Sequence, residues 1–248
     1  MTMFRYEARP DLLAGKTILV TGAGSGLGRA AALSYARHGA NVLLLGRTLE
    51  KLEQTYDAID AAGGPTPALM TLDLETAAEH QYQEVADIIA TEFGKLDGLL
   101  HNAAVSAPTL PLQFVTLSSW TKLLQVNLTA GFALTRACLP ILQQAPNASV
   151  IFTSSRAGRE TRAYWGPYAV SKHGVETLME IFHDELVTTS RIRVNSLNPG
   201  PCATALRKVI FPAEDPTTVT QAGSLMPLYL YLMGDDSLHE SGKRFDAQ

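Results

Sequence analysis

Tyr168 and Lys172 stand four residues apart in the run Tyr168-Ala169-Val170-Ser171-Lys172. The surrounding pattern reads as helix, and this spacing sets both side chains on one face about one turn apart. A phenol is a poor base near neutral pH, and an adjacent ammonium favours its phenolate and lowers its pKa. Such a pair can exchange a proton with a hydroxyl or carbonyl while a hydride moves to or from a nicotinamide. Taken alone, the same spacing suits an exposed surface pair. The neighbours favour chemistry. Ser154 and Ser155 close a predicted strand, at the edge where an open α/β sheet binds its ligand, and a serine hydroxyl there can steady a carbonyl oxygen. Asn127 falls inside a predicted long helix, where asparagine is unfavourable unless its amide has a partner, and it could hold a water beside Lys172.

A second set of residues suits a phosphate-bearing cofactor. Thr21-Gly22-Ala23-Gly24-Ser25-Gly26-Leu27-Gly28 lies between the first predicted strand and the first predicted helix. Backbone amides at a helix N-terminus can hold a pyrophosphate, and glycine lets it approach. A tight turn that merely packs helix on strand would also use glycine, but the position in an opening βαβ unit favours the cofactor. At the end of the second strand an acidic residue usually receives the adenosine ribose hydroxyls and repels an added phosphate. Gly46 and Arg47 stand there instead. A guanidinium can pair bidentately with a 2′-phosphate, which favours NADP(H) over NAD(H); the plainer alternative is a solvated charge at a helix start. Asp73, followed by Leu74, lies past the third strand, where its carboxylate can accept from an adenine amino group or cap the next turn.

These residues need a frame. Short aliphatic and β-branched runs predict strands over 17–20, 41–45, 68–72, 96–100, 149–153 and 192–197, with a last one over 243–245. Helical patterns over 29–37, 49–62, 78–93, 117–142, 164–188 and 226–233 separate them, several ended by glycine. Strands spaced by helices imply parallel pairing through right-handed crossovers, hence an α/β doubly wound parallel sheet, a Rossmann fold of about seven strands with helices on both faces. An eight-stranded barrel is disfavoured by the strand count. Pro201, Pro212, Pro216 and Pro227 break the pattern after the sixth strand, and a mobile loop is expected there.

The 248 residues fit one domain, with 1–14 as an N-terminal extension. A hydrophobic content of 46% supports a packed core, and a net charge of -4 argues against a nucleic-acid partner. Arg5, Glu7 and Arg9 interrupt the apolar start, so no signal peptide is read there, and no segment approaches the roughly 20 apolar residues of a membrane span. No membrane partner and a cytoplasmic location are therefore expected. Cys138 and Cys202 have no metal-ligand spacing and are expected to be free thiols, and no metal site is expected.

Together these residues resemble the short-chain dehydrogenase/reductase family, over about residues 15–246. The resemblance assigns its Thr-Gly-x-x-x-Gly-x-Gly turn to Thr21, Gly22, Gly26 and Gly28, and its catalytic tetrad to Asn127, Ser155, Tyr168 and Lys172. Ser155 is preferred to Ser154 because the family serine lies thirteen residues before the tyrosine. The family's Pro-Gly pair, with a threonine four residues on, matches Pro199, Gly200 and Thr204, which the resemblance sets against the nicotinamide half. Its Asn-Asn-Ala-Gly motif appears as His101-Asn102-Ala103-Ala104, with Ala104 in place of the glycine. The run from Met226 to Asp236, closing on Asp246-Ala247-Gln248, resembles the bacterial YciK-type oxidoreductases, and it replaces the usual Asp-Gly-Gly ending. Membership implies NADP (NADPH), with NAD as the lesser choice, a small-molecule carbonyl or alcohol substrate, and a homodimer or homotetramer packed through the helices bearing Asn127 and Tyr168.

Arg156, Arg159 and Arg162 lie where the family shapes its substrate mouth; they could attract an anion or simply be solvated. Tyr164 and Trp165 could form a flat apolar wall or a subunit contact, and 201–223 could close as a substrate lid. The leading expectation is an NADP(H)-dependent oxidoreductase interconverting a carbonyl and a secondary alcohol. The alternative is a non-catalytic nicotinamide-binding sensor or scaffold, which has no need for the four tetrad residues together.

Overall fold

The computed structural model describes residues 3–248. The aliphatic runs form β1 (Thr17–Thr21), β2 (Asn41–Gly46), β3 (Ala68–Thr71), β4 (Gly98–His101), β5 (Ala148–Thr153), β6 (Ile192–Asn198) and β7 (Arg244–Asp246). They pair in the order β3-β2-β1-β4-β5-β6-β7, and every pair is parallel. Chain order reverses between β1 and β4, so their C-terminal ends open a crevice of the kind in which doubly wound sheets bind ligands.

The helices are α1 (Gly26–Arg37), α2 (Leu49–Ala61), α3 (Glu79–Phe93), α4 (Leu117–Leu124), α5 (Ala130–Leu142), α6 (Gly166–Leu186), α7 (Ala205–Ile210) and α8 (Met226–Met233). Strand side chains alternate between faces, and the alternation divides the core. Leu19, Leu43, Leu45, Leu99 and Val150 join residues of α3, α5 and α6, whereas Ile18, Val20, Val42, Leu44 and Ile151 join residues of α1, α2 and α8. Strands buried on both faces explain why the sequence runs are apolar throughout rather than alternating.

Three segments depart from the sequence expectation. The first helix starts at Gly26 rather than 29, inside the glycine turn. The helix expected over 117–142 is interrupted by a π-turn at Gln125–Thr129, which carries Asn127. The mobile loop expected after β6 is instead folded into α7, two 3-10 turns and a β-bridge between Cys202 and Thr220. Its prolines break the helical pattern into short pieces, and the bridge ties those pieces together. The N-terminal extension is fastened to the same domain: the Phe4 N–H donates to the Ala247 carbonyl, and Leu12 and Leu13 are buried.

Candidate active site

The ends of β1, β4, β5 and β6 border a cleft of about 1080 Å³. That exceeds the ~300–1,000 Å³ usual for small-ligand pockets, so a dinucleotide and a second small molecule can share it. Of the residues singled out from sequence, Gly22, Gly24, Ser25, Gly26, Leu27, Arg47, Asp73, Leu74, Asn102, Ala103 and Ala104 line one half. Ser155, Tyr168, Lys172, Pro199, Gly200 and Thr204 line the other.

Thr21, Gly28 and Asn127 stand behind this lining. The Thr21 hydroxyl oxygen accepts from the N–H groups of Asn102 and Ala103 at 2.9 and 3.0 Å, so it fastens β1 to the chain leaving β4. A Cβ on Gly28 would overlap the Gly22 carbonyl and lie 2.6 Å from the Asn102 amide nitrogen, so glycine is required for α1 to seat on the turn. Gly22 combines a φ of +69° with close approach to Ala103. The start of α1 has neither a side-chain cap from Ser25 nor an acidic residue in its first turn. Its first amides have no intrahelical acceptor, and the helix dipole adds positive potential, so this end suits an anionic diphosphate. Arg47 is exposed at the end of β2, while the Asp73 carboxylate accepts from the Glu75 N–H at 3.0 Å and so caps its own turn. Ala104 needs no left-handed backbone, since Tyr164 is the sole non-glycine residue with positive φ among those described.

The chemical half is built on α6 and the end of β5. Lys172 is buried, and its ammonium donates to the Thr153 carbonyl at 2.7 Å. Burial lowers its pKa to about 8, with the charge of Glu176 opposing that shift. Its Nζ is 5.9 Å from the centre of the Tyr168 ring. Burial raises the Tyr168 phenol above its ordinary value, and the Ser155 hydroxyl beside it acts in the opposite direction. Burial outweighs the Ser155 hydroxyl, so the phenol is raised here rather than lowered as the sequence reading expected. The Ser155 side chain accepts from the Ala157 N–H at 3.2 Å, which holds it in the cleft lining from an extended backbone. Ser154 is 2% exposed, and its hydroxyl points to no partner.

Asn127 works through the backbone. Its amide oxygen accepts from the Val105 N–H at 2.8 Å, and its nitrogen donates to the Val105 carbonyl and the Ser171 hydroxyl. The π-turn turns this side chain out of the helix ladder and into the gap between the loop after β4 and α6. No direct bond to Lys172 is formed.

The three arginines separate by role. Arg159 pairs with the buried Glu176 and with Asp246 and also donates to the Phe245 carbonyl, so it joins α6 to β7. Arg156 and Arg162 are exposed and share Glu160, which offsets the charge an anion would meet. Trp165 stands with its ring centre 6.1 Å from that of Tyr168 and 6.2 Å from that of Phe211, at the end of α7. Tyr164, at a φ of +73°, is 60% exposed and hands the cleft wall to Trp165 alone. His101, where the resemblance has asparagine, stacks on Phe152 and is bonded to Thr135; burial lowers its pKa to about 3, so it is neutral. Sequence reading missed Glu176 and Phe211, which carry no local motif, and it flagged Gln248 only as part of an altered C-terminal ending.

Cys138 and Cys202 are buried free thiols pushed up to about 12 and about 11. Among the described residues no cluster of three or more His, Cys, Asp or Glu side chains is arranged for a metal, and no helix is long and apolar enough to cross a membrane.

Comparison with known proteins gives concordant matches. The profile of the family described as short chain dehydrogenase matches residues 16–215. The Escherichia coli oxidoreductase YciK is 45% identical over 243 residues, 98% of this chain and 96% of its own. A short chain dehydrogenase structure from Pseudomonas syringae is 47% identical, with a TM-score of 0.98 over 100% of both chains. Another from Escherichia coli CFT073, complexed with NADPH, is 45% identical, with a TM-score of 0.94 over 97% of this chain and 100% of that one.

Proposed function

The chain belongs to the short-chain dehydrogenase family and is an oxidoreductase of it; from that premise we propose that it uses NADP(H) to interconvert a carbonyl and a secondary alcohol, with Tyr168 exchanging the proton. The observation that carries this reading is convergence. The glycine turn, Arg47, Ser155, Tyr168 and Lys172 all border one cleft, although they come from distant parts of the chain.

The nucleotide half would hold the diphosphate at the start of α1, with Arg47 pairing with the 2′-phosphate. Exposure of Arg47 without a carboxylate beside it at the end of β2 supports NADP(H), as does the NADPH complex of the Escherichia coli relative. When bound, the nicotinamide supplies or accepts the hydride. Ser155 and Tyr168 then share the substrate oxygen, and the raised phenol stays protonated near neutral pH, as a proton donor should. Lys172 adds positive charge over the ring, and Asn127 holds Val105 and Ser171 together behind it.

The segment 201–223 forms the substrate lid in this reading, with Trp165 and Phe211 at its rim. A homodimer or homotetramer is also proposed, supported by exposed Leu112, Phe114 and Leu117 beside α4 and by Val170 and Ile181 on α6. A sensor or scaffold would not need the buried Lys172. The decisive experiment is titration with NADPH and with NADH by nicotinamide fluorescence, followed by a screen of aliphatic and aromatic ketones and aldehydes with the reduced cofactor. Tight NADPH binding with turnover of a carbonyl supports the reading. Failure of both nucleotides to bind overturns it.

A further inference from the structure

Gln248 lies where the chain ends its last strand, and its side-chain amide is almost fully engaged. Its nitrogen donates to the carbonyls of Pro199 and Pro201, both at 2.7 Å, and its oxygen accepts from the Thr220 hydroxyl at 2.8 Å. Two carbonyls can only accept, so the nitrogen must face them, and the orientation of the amide is determined by its partners. The backbone beneath is held as well: Ala247 is buried, and its N–H donates to the Asn198 carbonyl at 3.0 Å. Gly200, with a φ of +71°, leaves the space the side chain occupies, since a Cβ there would lie 2.6 Å from the Gln248 Cγ.

The partners are the two legs of one excursion. Pro199 and Pro201 lie where the chain leaves β6, and Thr220 lies where it returns. Between the legs, the Ala203 N–H donates to the Thr220 carbonyl at 3.0 Å within the bridge to Cys202. The first half of the excursion, from Cys202 to Phe211, borders the cleft. Thr204 reaches the glycine turn, its Cγ2 lying 3.3 Å from where a Cβ of Gly26 would be, and Phe211 meets Trp165.

We propose that Gln248 is a positioning residue that fastens both legs of 201–223 and so sets Phe211 against Trp165 across the mouth of the cleft. One amide serves both legs because it presents two donors and an acceptor within a few ångströms. A short side chain at 248 cannot reach them, and a carboxylate of the same length keeps an acceptor for Thr220 but has no hydrogen for the proline carbonyls. Only the consequence for substrate access rests on the function proposed above; the fastening is testable without substrate.

The test uses the full chain with Gln248→Glu, Gln248→Ala and Thr220→Val. Limited trypsin digestion is followed by mass spectrometry of the first cuts, because Arg207 and the exposed Lys208 lie on α7. Both Gln248 variants should be cut after Arg207 or Lys208 several-fold faster than the wild type, and Thr220→Val should fall between. The chain has two tryptophans, so a Trp120→Phe background isolates Trp165. Its emission should move to longer wavelength in Gln248→Glu as Phe211 withdraws, a change that general loosening elsewhere would not give. Wild-type cleavage at Arg207 and Lys208 in both Gln248 variants, or faster cleavage spread along the whole chain, overturns the proposal. NADPH titration of the wild type separates the two ideas: its failure counts against the nucleotide function and leaves the fastening result standing.

Discussion

The Lys172 ammonium donates to the main-chain carbonyl of Thr153 at 2.7 Å, which ties the charge of α6 to the last residue of β5. Strand and helix therefore share one cation next to the phenol. Lys172 is also buried enough for its charge to be sensitive to pH.

That sensitivity has a definite sign. Burial lowers Lys172 from 10.5 to about 8, so the unfolded chain binds a proton there that the folded chain has released across this window. The cost of burying the charge is present in full below about 8 and fades as pH rises towards 10.5. In chemical denaturation, the stability of the wild type relative to Lys172→Met should therefore rise across this range. Carbonyl reduction should fall above about pH 8 as the ammonium is lost. A flat stability difference would show that Lys172 keeps its ordinary pKa.

Tyr168→Phe removes one oxygen and keeps the ring against Trp165. Turnover should fall by orders of magnitude, while NADPH affinity changes by about twofold or less, because the phenol acts on the transition state. Steady-state kinetics paired with a fluorescence titration distinguishes the two effects. Near-normal turnover would remove Tyr168 from the mechanism.

Arg47→Ala tests the choice of nucleotide. Charge-assisted hydrogen bonds contribute ~1.5–3 kcal/mol, so NADPH affinity should drop by about 10- to 100-fold with little change for NADH. Equal weakening of both would show that the guanidinium does not read the 2′-phosphate.

Asn127→Ala would take from Val105, half-buried on the cleft wall, the side-chain partners of its N–H and carbonyl. A hydrogen bond in such a half-open setting contributes ~0.5–1.5 kcal/mol net, and thermal unfolding should register a loss of this order. NADPH affinity should be less affected, because Asn127 does not line the cleft. A variant as stable as the wild type would mean that the π-turn relaxes to rescue Val105.

Much of this was legible in the sequence because it is local. Apolar runs, the glycines at 22, 26 and 28, and the four-residue spacing of Tyr168 and Lys172 each express a constraint that acts within one turn or one strand. The π-turn was not legible, because hydrophobic periodicity continues unbroken over 117–142 and Asn127 hinted only that its amide needed a partner. Arg159 looked like its neighbours Arg156 and Arg162; its separate role depends on Glu176 and Asp246, seventeen and eighty-seven residues away.

The sequence by itself determined the order of strands and helices, the turn that opens α1 and the identity of the residues that gather at the sheet edge, since pattern and backbone preference are written residue by residue. Tertiary structure alone decided which of those residues face the cleft and which stand behind it. Thr21 and Asn127 spend their polar atoms on main-chain groups of distant segments, Lys172 does the same at Thr153, and Gln248 closes on Pro199, Pro201 and Thr220. The reason is physical: a buried polar atom takes whichever partner folding brings within about 3 Å, and main-chain partners leave no mark in the amino-acid alphabet.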